Sequence, residues 1–390
     1  MKYLTLIICI LLLIRCSSEK NPAIVTIDVQ SPTGPELKYL SEIATDIQYI
    51  PLETRPEALM RFVNYFKATD DKFYINTLGE LLCFNKSGKY LYKLSQRGRG
   101  PNEYEYLVDY DVNPEKNSVV VLTGVKLFFY DETVKGFEFS RQLALDTRPS
   151  YCDLIPGQNN ILLSFTASSG ENIYQCVCIS PEGDTVFKRP NFYRFIRNSR
   201  IRVGFSTENV INRIDDNLRI KGILSDTLFT ITGDYKVIPY LILNTEGNSI
   251  STDFLANIPE SELGSGGFMS KYLMISEILE TSRYLFYRYS YQKSSYWGVY
   301  DKNSRENHRF PYQELLKDDI SGGINIDPKF TGNGVIYSWV DALTFKNYMS
   351  ENMQETKELK KPERAEELKR LAETIKEDDN HILIKITPRK

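Results

Sequence analysis

LLCFNKSGKYLYKLSQRGRGPNEY, residues 81–104, is the stretch on which the fold is read. Residues 81–94 form two apolar-rich runs around NKSG, the pattern of a β-hairpin, with Gly88 where the turn demands a positive φ. Residues 97–104 then bring two arginines, two glycines and a proline into a segment too irregular for helix or strand. A hairpin followed by a glycine-punctuated exit is half of a repeating unit.

The unit recurs. Strand-like runs at 62–69 and 73–76 precede the hairpin and complete a set of four. A second set lies at 106–112, 118–122, 125–130 and 137–145; a third at 151–155, 160–166, 174–180 and 184–188. The fourth occupies 209–214, 218–224, 227–232 and 236–243, and the fifth 272–279, 283–291, 297–300 and 308–311. The sixth supplies 324–330 and 335–340, a helical interruption, and 381–387. A period of roughly 45–50 residues falls in the β-propeller range. NKSG at 85–88 is matched by SPEG at 180–183, both fitting a type I turn that ends in a left-handed residue.

These sets predict one six-bladed β-propeller of four-stranded antiparallel blades over residues 41–390. The unpartnered run IQYIPL, residues 47–52, is expected to pair with 381–387 and close the ring, since propellers hide strand edges in this way. A helical insertion is expected at about 341–378, where Ala342, Phe345 and Met349, then Leu368, Leu371 and Ile375, recur at helical spacing and Pro362 marks a start.

Composition supports this frame. Of 390 residues 42% are hydrophobic, with 26 Tyr and 20 Phe, which suits strands better than helix bundles. A net charge of −3 provides no general attraction for nucleic acid or an anionic membrane, so membrane contact is expected through a lipid anchor only and no nucleic acid is expected as a partner. Residues 1–16 have the proportions of a lipoprotein-type signal: Lys2, an apolar run from Leu4 to Ile14, then Cys16 as the expected lipidation site, although Arg15 stands where a small residue is usual. Residues 17–40 are then expected to be a flexible tether. Cys83, Cys152, Cys176 and Cys178 show no metal-binding spacing and read as buried thiols.

Three stretches carry a family likeness. IQYIPLET (residues 47–54), the FNKSGKYLYKLSQRGRGPNEY run and DDNHILIKI (378–386) resemble the six-bladed β-propeller lipoproteins of Gram-negative gut bacteria, themselves similar to NHL-repeat propellers. The resemblance implies the fold and an envelope address, and it implies no activity, since propellers host binding, scaffolding and catalysis alike.

Candidate chemistry is sparse. Arg97 and Arg99 in the GRGPNEY exit, with Glu103 and Tyr104, are the candidate ligand-binding residues, because paired guanidinium groups clamp carboxylates or phosphates. The competing reading is architectural, with Glu103 pairing an arginine and Tyr104 packed between blades. Asp109, Asp111 and Asn113 alternate like the opening of a calcium loop, but Pro114 stands where that loop needs glycine. Tyr287, Tyr289 and Tyr291 share a strand face near Trp297, a sugar platform or blade packing. Two histidines, His308 and His381, are too few for a multi-histidine metal site. Asp215–Asp216 and Asp318–Asp319 read as solvated turns. No catalytic residue, metal or cofactor is expected.

The expectation is therefore an exported, lipid-anchored outer-membrane binding or scaffold module for an oligosaccharide, peptide or partner protein. A hydrolase or lyase at the channel mouth and an accessory subunit of an outer-membrane uptake complex are the alternatives.

Overall fold

The computed structural model describes residues 24–100, 102–205, 208–214, 216–262, 270–352 and 359–390. Six sheets surround a central channel. Blade one is Tyr65–Ala68, Lys72–Thr77, Glu80–Asn85 and Tyr90–Leu94, from the channel outward. Blade two is Asp109–Asn113, Ser118–Thr123, Lys126–Thr133 and Gly136–Ala144; blade three is Tyr151–Leu154, Ile161–Ser164, Tyr174–Ile179 and Thr185–Pro190. Blade four is Asn209–Ile214, Asn217–Gly222, Thr227–Ile231 and Val237–Asn244, and blade five Met274–Glu280, Tyr284–Tyr291, Ser294–Asp301 and Glu306–Pro311.

Blade six joins the chain's two ends. Its order is Phe330–Gly332, Val335–Val340, Ile382–Pro388 and Ala44–Pro51, with Ile47 opposite Ile386 and Tyr49 opposite Ile384. The predicted closure is present.

Burial follows from blade geometry. Middle strands are covered on both faces and are continuously apolar, as in SVVVLT of blade two, whereas the outermost strand of blade three alternates. Each blade-to-blade interface is filled by its own hydrophobic cluster, for example Tyr110, Val119 and Phe128 against Tyr74 and Cys83 between blades one and two. Cys176 and Cys178 share one such cluster as free, buried thiols. The predicted turns form with Gly88 at φ +82° and Gly183 at φ +103°, each N–H donating to the carbonyl three residues back at 3.0 Å.

Helix α1 (Thr252–Ala256) lies in the link between blades four and five. Helices α2 (Ala342–Asn352) and α3 (Pro362–Thr374) form the insertion between the second and third strands of blade six. Phe345, Met349 and Leu368 reach the core between blades five and six. Arg364 Nη2 and Lys361 Nζ donate to Asp46 at 3.0 and 2.9 Å, pinning α3 to the outermost strand.

Two expectations are corrected. From Ile24 onward the supposed tether is part of the body: Val25–Asp28 pairs in parallel with Val237–Asn244 as a fifth strand of blade four. The chain then crosses blade five, where Thr33 and Leu37 N–H groups donate to Asn307 and Arg309 carbonyls, and reaches the Lys317 carbonyl through Leu40 N–H. Alternation at Val25, Ile27 and Val29 drives this, burying Ile27 and Val29 over an otherwise open edge. Second, the innermost strand of blade six begins at Phe330 rather than at 324, because Pro328 cannot donate to the ladder. The expected inter-blade packing of the blade-five tyrosines is present, with Trp297 on the opposite sheet face. Tyr287 and Tyr289 stack at 5.9 Å in the core between blades four and five, while Trp297 fills that between five and six.

Antiparallel pairing from channel to rim gives the disc two unlike ends. The turn between second and third strands and the link to the next blade fall at one end, here the link-bearing end. The first and third turns of each blade fall at the other.

Candidate functional site

The innermost strands of blades one to four bring five charged side chains together in the channel. Lys67 Nζ lies 3.3 Å from Asp111 Oδ1 and 3.4 Å from Asp153 Oδ1. Arg213 reaches across from blade four, its Nη2 donating to Asp111 Oδ2 at 2.6 Å and to the Leu154 carbonyl at 2.8 Å. Asp109 and Asp111 also accept from the backbone N–H groups of Cys152 and Leu154, at 2.9 and 2.8 Å, and so staple blade two to blade three.

Environment separates the three carboxyl groups. Burial, reinforced by the nearby Asp153 charge, pushes Asp109 up to about 8, so that it holds its proton at neutral pH. Asp153 is also raised, chiefly by burial. Burial would raise Asp111 too, but Arg213 and Lys67 hold it below the ordinary carboxylate value. With Asp109 protonated, two carboxyl groups face two cations. The arrangement is a cross-channel plug whose acids are already partnered, unlike the separated carboxylate pair that glycoside hydrolysis uses. Among the described residues, no group of three or more His, Cys, Asp and Glu side chains is placed to hold a metal ion.

Residues 97–104 leave blade one at the link-bearing end. Tyr104 is buried against Phe128, with its hydroxyl donating to the Gly79 carbonyl at 3.1 Å; it joins blades one and two. Glu103 accepts from Gly100 N–H at 2.8 Å and shapes the loop, whereas Glu105 is the residue that pairs Arg99, at 2.9 Å. The expected Glu103–arginine pair is thus replaced by Glu105–Arg99. Arg97 donates to the carbonyls of Glu105 and Leu78. Arg99 presents a side chain 90% exposed to solvent. Cys16 lies outside the described residues, as does Asp215. Asp318 and Asp319 are not solvated: Asp318 accepts from Tyr49 hydroxyl and the Ile320, Ser321 and Gly323 N–H groups, and Asp319 binds Ser41.

The link-bearing end also carries exposed apolar side chains along the arc of blades one to three. Leu59, Leu78, Val125, Ile173, Phe192 and Ile196 come from the links and turns of blades one to three and the link entering blade one. In the turns of the opposite end, among the described residues, Val134 is the only exposed large apolar side chain. The long links of this end thus carry most of the exposed large apolar side chains found in links and turns.

The channel cluster draws on four blades, so its members lie far apart in sequence. The one local signal was the alternation of Asp109 and Asp111 in an innermost strand. The apolar end was legible only once strand direction was known, since single exposed residues in turns have no periodicity.

Fold and site together define a six-bladed β-propeller with a plugged channel and one apolar end. The chain belongs to the family described as domain of unknown function DUF4934, whose model matches residues 24–387. It is similar in structure to a Bacteroides fragilis protein classed as exported, with a TM-score of 0.70 and 20% identity over 94% of this chain and 99% of that one. A member of the DUF4221 family from Bacteroides vulgatus superposes with a TM-score of 0.54 and 10% identity, over 89% of this chain and 98% of the other. At these identities the likeness concerns the fold alone. No curated protein matches the chain.

Proposed function

We propose that the protein is an exported envelope module that binds or scaffolds a partner through the link-bearing end of its propeller. The observation that carries this reading is the concentration of exposed apolar side chains in the links and turns of that end, against Val134 among the described turn residues of the other. Export is supported by the apolar run before Cys16 and by the structural likeness to an exported Bacteroides protein. An oligosaccharide, a peptide or an envelope protein would fit a surface of this kind. Acylation at Cys16 would keep the module at the outer membrane, and an accessory role in an uptake complex would use the same end. A hydrolase or lyase reading gains support from the converging carboxyl groups of the channel. It loses more, because Lys67, Arg213 and two backbone N–H groups already engage them.

The test compares envelope components captured by the parent, by a Leu78→Asp/Val125→Asp variant and by Val134→Asp. The reading expects the double variant to lose its partner at an unchanged melting temperature, with Val134→Asp behaving as the parent. Capture that survives at Leu78 and Val125, or that falls equally for Val134→Asp, would contradict it.

A further inference from the structure

The link between blades three and four, residues 191–208, differs from every other link in holding four arginines, and its one acidic residue, Glu208, is buried and accepts from Ser168 N–H. Between a turn at residues 192–193 and a bend at 199–200, its side chains alternate between inward and exposed. Tyr193, Phe195 and Ile201 pack inward on the cluster that includes Ile223 and Leu255. Phe192, Arg194, Ile196, Arg200 and Arg202 point outward, Phe192 at 70% and Ile196 at 86% exposure.

The backbone beneath is fixed. Arg197 donates to the carbonyls of Ile201 and Ser168 at 2.6 and 2.9 Å, and the N–H groups of Asn198 and Ser199 donate to the Ala256 carbonyl at 2.9 and 3.0 Å. Arg202 lies 3.5 Å from Glu171; Arg194 and Arg200 make no ion pair among the described residues. Beside the strip, Ile173 adds a third exposed apolar side chain. The following link, with Glu246, Asp253, Glu260 and Glu262, is acidic and meets the strip at Asn198 and Ser199, leaving Arg194 and Arg202 on either side of that contact.

We infer that this strip docks on an anionic bilayer surface, with Phe192, Ile196 and Ile173 entering the interface and Arg194, Arg200 and Arg202 meeting lipid phosphates. The inference rests on the proposed use of the link-bearing end and names what that end meets at blades three and four. Two observations converge on it and a third permits it. Guanidinium groups pair with phosphate in a planar, bidentate way. Protruding aliphatic side chains gain from hydrocarbon, whereas an acidic sugar chain gives them no partner. The described chain starts at Ile24 on the edge of the same blade four, eight residues after Cys16, a reach of at most about 28 Å. Because Val25–Asp28 runs parallel to Val237–Asn244, toward the link-bearing end, this span gives an acyl chain at Cys16 reach to the rim of blade four without directing it to either end.

The chain from Ser17 onward keeps every described residue and carries no acyl group. It should sediment with vesicles of phosphatidylcholine and phosphatidylglycerol but not with phosphatidylcholine alone, and less so as salt rises. Arg194→Glu/Arg200→Glu should weaken that binding by about twentyfold or more, since each basic side chain near an anionic surface is worth about fivefold. Ile196→Asp should weaken it without lowering the melting temperature, and polygalacturonate should not compete. Absence of vesicle binding, equal binding to both vesicles, or full binding by the arginine variant would overturn the inference. So would binding of polygalacturonate alone, which would make the strip a site for acidic glycans. None of these outcomes alters the capture experiment on Leu78 and Val125, so the two readings fail separately.

Discussion

Asp109 folds with its carboxyl buried beside Asp153, and its pKa rises above that of the unfolded chain to about 8. The folded state therefore binds a proton that the unfolded state has released between about pH 4 and pH 8. The stabilisation is complete below the unfolded pKa and disappears as pH rises through the folded one. Asp109→Asn keeps an oxygen for the Cys152 N–H and holds no titratable proton. Its denaturant midpoint should fall less between pH 5 and pH 8 than the parent's, with the variant the more stable at pH 8. Parallel pH profiles for the two proteins would show that Asp109 is ionised in the fold. At this scale little was legible in the sequence. Arg97, Arg99, Glu103 and Tyr104 were singled out for their spacing, yet Tyr104 is a packing residue and Glu103 a loop brace. Lys67, Asp153 and Arg213 gave no signal, because only the closing of the ring brings them to Asp111.

Strands were the legible elements. Period-2 patterns and turn glycines located every blade, since middle strands covered on both faces must be apolar and turn residues must tolerate a left-handed φ. The N-terminal strand was missed although Val25, Ile27 and Val29 alternate, because its partner is 216 residues away and its flanks are polar. Ile27→Ala should cost about 2–5 kcal/mol in urea unfolding, the usual range for truncating a buried isoleucine; no loss would return this segment to a tether. Deleting residues 381–390 removes the partner of Ala44–Pro51 and opens the flanks of two blades. Aggregation or loss of cooperative melting is the expected outcome. A monomeric protein melting near the parent would mean that the ring holds without its closing strand.

The whole molecule is a disc whose channel is braced by its own charges and whose two ends differ in apolar exposure. Its N-terminal segment wraps the rim over blades four and five before entering blade six. If Cys16 carries the acyl chains, Cys16→Ser should move the protein out of the detergent phase in phase separation; partitioning like the parent would refute lipidation. The central claim is that the link-bearing end is the working surface. It is tested most directly by placing a photo-crosslinking residue at Val125 on that end, or at Val134 on the other, and irradiating intact cells. Val134, 97% exposed, is the stricter control because it is the more accessible of the two. The account predicts adducts to an envelope component from position 125 and none from position 134. Adducts from 134 alone, or equally from both, would contradict it.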